Sequence, residues 1–331
     1  MSIYTLTFFM FLNSFLVNVL IILTRKFHIN ITGDSHKGPQ KIHKNIVPRI
    51  GGVSVFLTLG LSIILLEYYS GEKKNFIIKN VQTLILLSMP AFFIGLLEDI
   101  VKDISIILRF FTSFIVGIFA YFVFGLSINV TNIVTLDNQI HLLNLIPLLT
   151  ILFFAGSINS INIIDGINGL ASVACLIILF ALLKLNNDER VIINNFLIIL
   201  VIANILGFLV INWFWGAIFL GDSGAYLLGV ILAVIGCKTI LDNQLSLLII
   251  LTLFFFPIWE ISYSIWRRTL NKTKVMRADN KHLHSLIHIF VREKVSNKNK
   301  FINNFLPTFM LLPILTIGPL LSLYYYHNPK V

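Results

Sequence analysis

Ten long apolar runs separated by short polar stretches leave this chain only one medium in which to fold. They cover residues 3 to 24, 50 to 69, 81 to 97, 106 to 126, 142 to 160, 169 to 184, 191 to 212, 223 to 240, 245 to 266 and 302 to 326. A helix that crosses a bilayer needs about 20 apolar residues, and most of these runs approach or exceed that length. With 57% hydrophobic and 12% charged residues, the 331-residue chain has too few charges to coat a soluble core or to stay unfolded. The sequence therefore reads as an all-α, polytopic integral membrane protein of about ten transmembrane helices, folded as a single domain over residues 1 to 331. The first run lacks the basic flank and small-residue cleavage site of a signal peptide and is expected to be retained. Cys175 and Cys237 lie inside apolar runs, where a free thiol behaves as a small hydrophobe, so neither a disulfide nor a cysteine metal site is expected.

Ten crossings put both termini on one side of the membrane. The opposite face then holds segments 25 to 49, 98 to 105, 161 to 168, 213 to 222 and 267 to 301. With Arg109 just beyond the second, that face carries 18 of the 25 Lys and Arg residues. The excess of basic residues marks it as cytoplasmic. On the other face, the polar segment 127 to 141 is short enough for a hairpin.

Polar residues other than Lys and Arg cluster at helix ends on that same basic face. Carboxylates near a membrane are costly unless paired or metal-bound, so their convergence points to a site. Glu98-Asp99 is followed by Asp103; if the third helix continues, Asp99 and Asp103 share a face, and adjacent acids suit a hard cation such as Mg²⁺. Asn159, Asn162, Asp165 and Asn168 recur every three residues beside Gly166 and Gly169, a ridge able to line a cleft. Gly221-Asp222-Ser223-Gly224 opens the eighth run. Asp222 or Ser223 is placed there to cap the helix, and the free N–H groups of such a start also suit a phosphate with its metal. Arg267 and Arg268, then Arg277, Asp279, His282 and His284, fill the most basic loop. Forked guanidinium and imidazole donors there favour a diphosphate over a zinc pair, since no further soft ligand stands nearby in sequence. Lys41, His43 and Arg49 form a basic lip leading into the second helix, where Pro48, Gly51 and Gly52 turn the chain.

In this order, the five segments from residue 37 to 288 resemble the polyprenyl-phosphate N-acetylhexosamine-1-phosphate transferases, bacterial glycosyltransferase family 4, and more distantly the MraY translocases. The resemblance implies transfer of a sugar 1-phosphate from a UDP-amino sugar to undecaprenyl phosphate with release of UMP. It further implies Mg²⁺ (or Mn²⁺), a multi-pass protein of the bacterial inner membrane with its active site facing the cytoplasm, and a role in the first membrane step of cell-surface polysaccharide synthesis. By position, Asp99 matches the second acid of the family's Asp-Asp pair and Asp222 its metal-binding Asp, giving Glu98, Asp99, Asp165 and Asp222 as catalytic candidates, with Asp99 and Asp222 on the metal. Lys41, His43, Arg49, Asn162, Asn168, Arg267, Arg268, His282 and His284 are the substrate-binding candidates. Glu98, Asn168 and Ser285 stand where the family pattern has Asp, Asp and His. The bilayer, the lipid phosphate acceptor and the UDP-sugar donor are the expected partners; a homodimer is compatible with the sequence and no nucleic acid is expected. The rival of a different class is a secondary transporter or lipid-linked sugar flippase, which would place ionisable groups near the bilayer midplane; here the acids sit at helix ends, with Glu260 the nearest exception.

Overall fold

The computed structural model describes residues 2–34, 46–69, 71, 73–129, 131, 133–186, 192–272, 281–295 and 299–327. Lys41, His43, Arg277 and Asp279 lie outside the described residues. The described chain forms α1 (Ile3–Leu23), α2 (Arg25–Thr32), α3 (Gly51–Glu67), α4 (Lys74–Val101), α5 (Ile106–Phe122), α6 (Val134–Leu142) and α7 (Ile146–Ile164). It continues with α8 (Leu170–Leu185), α9 (Ile192–Trp215), α10 (Gly221–Asn243), α11 (Leu247–Leu253), α12 (Phe255–Leu270), α13 (Leu283–Phe290) and α14 (Lys300–His327).

Helices α1, α4, α7, α9, α10 and α14 are long and apolar enough to cross a membrane, and α3, α5 and α8 are shorter apolar helices. The ninth apolar run is broken: α11 and α12 meet at 79°. Pro257 explains the break. In a continuous helix it would lack an N–H for the Leu253 carbonyl and its ring would crowd that carbonyl, whereas in the first turn of α12 neither matters. Both cysteines are free and buried, as expected.

Two local expectations are corrected. The described residues of segment 127 to 141 form α6 in place of a hairpin; Asp137 closes its entry by accepting hydrogen bonds from the Thr131 N–H (2.8 Å) and hydroxyl (2.6 Å). Helix α4 ends at Val101 because Lys102 turns left-handed (φ 63°), so Asp103 leaves the helix and is exposed, away from the buried Asp99.

Helix α10 is the axis of the bundle. It is buried almost throughout, against α4 and α7, with α3, α8 and α9 completing its surroundings. Lipid tails give apolar helices no reason to prefer each other, so close backbone approach across small residues has to supply the contact. A Cβ on Gly95 of α4 would lie 2.6 Å from the Asp222 carbonyl carbon and the Ser223 nitrogen, so glycine is what lets α4 reach the start of α10. Gly95→Ala is expected to destabilise the protein by about 1–3 kcal/mol through overpacking, seen as a lower melting temperature in detergent. Gly60→Ala, where a Cβ meets nothing within 4 Å, should leave the melting temperature unchanged or raise it.

Candidate active site

The first N–H groups of α10 have no partner within their own helix, and the residue before it, Leu220, has no side-chain acceptor. Asp99 supplies what is missing from across the bundle. Its Oδ1 accepts from the Asp222 N–H (2.8 Å), and its Oδ2 from the Ser223 N–H (3.0 Å) and hydroxyl (2.7 Å). Asp222 and Ser223 are therefore capped by another helix and are not the cap themselves. The chain reaches this point through Gly221, whose φ of 77° and lack of a side chain are both required: a Cβ would lie 2.2 Å from the Arg49 carbonyl oxygen and 2.5 Å from Asp99 Oδ2. Backbone bonds from Phe219 to Pro48, Gly51 to Phe219 and Gly52 to Leu220, each 2.9 Å, lay the 48–52 segment alongside.

That pairing brings Arg49 over two acids. Its Nη2 donates to Asp222 Oδ1, and its Nε lies 3.3 Å from Asp99 Oδ1. Burial works against the guanidinium charge, but Asp222 and Asp99 overcome it and hold Arg49 above its ordinary pKa. Arg109 donates from Nη1 to the other oxygen of Asp222 (2.6 Å) and lies 3.6 Å from Glu98. Glu98 in turn accepts from the Ile104 N–H (2.9 Å), bracing the turn between α4 and α5.

These groups border a cavity of about 700 Å³. Asn159 and Asn162 line it from α7, Asp165 from the residue that ends that helix, and Asn168 from the turn before α8. The three-residue ridge thus runs off the end of a helix, yet all four side chains reach one space. Burial pushes the Asp165 carboxyl up to about 7, with Arg49 opposing and Asp222 reinforcing the shift. From the other side come Arg268, His282, His284 and Ser285.

The histidines have a partner that the sequence reading did not assign. Glu260 accepts from His282 Nδ1 (2.8 Å) and from the Leu283 N–H (3.1 Å), so one buried carboxylate orients the ring and caps α13. His284 stacks on His282 at 5.3 Å with an 11° interplanar angle. Burial holds its pKa down at about 4, against the pull of Glu260 and with the help of His282 and His288, so it is neutral. Glu260, His282 and His284 are close enough to suggest a shared ion. The near-parallel rings argue otherwise, because an ion between them would sit outside both ring planes, where imidazole nitrogens do not ligate.

Among the residues singled out from sequence, Arg49, Glu98, Asn162, Asp165, Asn168, Asp222, Arg268, His282 and His284 line the cavity. Asp99 lies behind its wall, fully buried. Arg267 lies over the Tyr263 ring and donates to the Lys281 carbonyl, shaping the loop from outside the cavity. Arg109, Tyr226 and Asn212 line the cavity without having been singled out. Two signals were there to be read: Arg109 is a lone cation inside an apolar run, and Tyr226 stands one helical turn after Asp222.

The donors around the cavity suit a hard cation. Asp222, Asp165 and Glu98 offer carboxylate oxygens and Asn162 and Asn168 amide groups, and Mg²⁺ needs only one or two carboxylates beside water and phosphate.

A helical membrane bundle with a cavity that combines carboxylates, arginines and histidines defines a membrane enzyme for anionic substrates. Comparison with known proteins makes the class particular: the sequence model of glycosyl transferase family 4 matches residues 81–240 of this chain. It is 28% identical over 281 residues to a probable undecaprenyl-phosphate N-acetylglucosaminyl 1-phosphate transferase of Bacillus subtilis, covering 83% of this chain and 75% of the relative. It is 29% identical over 280 residues to an undecaprenyl-phosphate alpha-N-acetylglucosaminyl 1-phosphate transferase of Thermotoga maritima, covering 84% and 78%.

Asp99→Asn is expected to lower stability by about 1–3 kcal/mol, because its NH₂ group would face a helix N–H that needs an acceptor. Melting of the purified protein in detergent measures this.

Proposed function

We propose that the protein transfers an N-acetylhexosamine 1-phosphate from a UDP-sugar to undecaprenyl phosphate, releasing UMP, on the cytoplasmic face of a bacterial inner membrane. The observation that carries this reading is the Asp222 carboxylate held between Arg49 and Arg109 in a cavity that Asp165 and Glu98 also line. The names of the two relatives support N-acetylglucosamine as the sugar.

In the reaction an oxygen of the acceptor phosphate attacks the phosphorus that bears the sugar, and the bond from that phosphorus to the oxygen of the departing UMP breaks. The second pKa of a phosphate monoester is near 6, so the acceptor is already largely a dianion and needs no strong base. The obstacle is repulsion between anions. Arg49, Arg109 and Arg268 answer it with fixed positive charge, and His282 adds a ring whose orientation Glu260 sets. Asp222, with Asp165, would hold Mg²⁺ or Mn²⁺, which when bound neutralises charge on the leaving phosphate. Ile106 and Phe110 of α5 and Ile261 and Ile265 of α12 give the same cavity an apolar wall suited to a polyprenyl chain.

Two measurements test this. Asp222→Asn keeps the size of the side chain but removes its charge, and should cut release of UMP from UDP-N-acetylglucosamine in the presence of undecaprenyl phosphate by at least about 100-fold. Near-normal release would remove Asp222 from the metal site. For orientation, a cysteine at the exposed Lys272 should react with a membrane-impermeant reagent only after intact cells are opened. Labelling from outside would reverse the topology and cut the site off from cytosolic UDP-sugar.

A further inference from the structure

We propose that Asn304 of α14 fixes the side-chain amide of Asn168 so that its carbonyl oxygen faces the cavity, which makes the C-terminal helix part of the substrate site. Asn168 is 6% exposed, and its Nδ2 donates to Asn304 Oδ1 at 2.9 Å. With one Nδ2 hydrogen committed to Asn304, Oδ1 is free to accept from the cavity that Asn168 lines. The pair sits in a rigid frame. One turn beyond Asn304, the Thr308 hydroxyl donates to the Asn168 backbone carbonyl at 2.7 Å. The Gly169 N–H donates to Asn212 Oδ1 at 2.7 Å, and a Cβ on Gly169 would lie 2.6 Å from the Trp213 ring, whose Nε1 donates to the Phe305 carbonyl at 3.2 Å. Gly216 closes the frame beside both amides, since a Cβ there would lie 2.6 Å from Asn168 Nδ2 and 2.9 Å from Asn304 Nδ2.

A carboxylate at position 168 would offer acceptor oxygens and a negative charge. An amide turned by Asn304 offers an acceptor oxygen with no charge, suited to a hydroxyl or ring N–H of a nucleotide sugar. An amide free to turn over would present its NH₂ group half the time and lose that selectivity. Asn304 is thus a positioning residue. What Asn168 touches rests on the transfer reaction proposed above, whereas the pairing itself does not.

Asn304→Leu keeps the bulk and removes the acceptor. It should raise the KM for UDP-N-acetylglucosamine about tenfold while kcat stays within about twofold, the effect of one neutral hydrogen bond on binding alone. Asn304→Asp puts an acceptor back and should bring KM to within about threefold of wild type. The second measurement is melting in detergent of the wild type, Asn168→Asp, Asn304→Asp and the double variant. In Asn168→Asp, Asn304 can turn its NH₂ group to the new carboxylate, but the double variant sets two carboxylates against each other. The double variant should therefore lose more stability than the two single changes together. Equal KM values for Asn304→Leu and Asn304→Asp, or additive melting changes, would overturn the pairing. Absence of transfer in the wild type would instead count against the proposed reaction, with the melting cycle still deciding whether the two residues are paired.

Discussion

One buried carboxylate bears on more of this structure than any other group. Asp99 cannot remain charged in a helical bundle without donors, and the start of α10 cannot remain there without acceptors. Each answers the need of the other at 2.7 to 3.0 Å. The consequence reaches the cavity directly, because the residue whose N–H binds Asp99 is Asp222, whose side chain meets Arg49 and Arg109. The approach depends on Gly95 and Gly221, where any side chain would separate the two helices.

Much of the architecture was legible because bilayer thickness sets the length of an apolar run. The ten runs reappear as nine continuous helices and one broken pair. The polar clusters were legible as a group, since polar side chains near a membrane are too costly to scatter at random. Less was legible where the decisive partner is distant in sequence. Asp99 reads as one of a cluster of acids suited to a metal, and only the packing of α4 on α10 shows it facing backbone N–H groups 123 and 124 residues away. Glu260 reads as a stray acid until α13 is brought against it. The break before Pro257 follows a rule visible in the sequence, but an unbroken apolar stretch conceals it.

The chemistry of the cavity is also divided between its walls. The 159–168 stretch and the start of α10 contribute mostly oxygen donors, whereas Arg49, Arg109, Arg268 and the histidines arrive from other parts of the chain. Few of the cationic groups fall inside residues 81–240, the region matched by the family. The cationic side chains of the cavity are thus mostly supplied from outside the matched segment.

Helix α10 has a history as well as a position. Most of the helices that pack on it, α3, α4, α7, α8 and α9, come before it in the chain, and α11 follows. Protein synthesis runs in the same direction. When α10 leaves the ribosome, most of its neighbours have already been made, and the Asp99 carboxylate is waiting for the two N–H groups that α10 brings. The most enclosed helix is thus a late arrival that closes a prepared slot, so a ribosome stalled before residue 221 would leave a bundle with most of its walls and no axis.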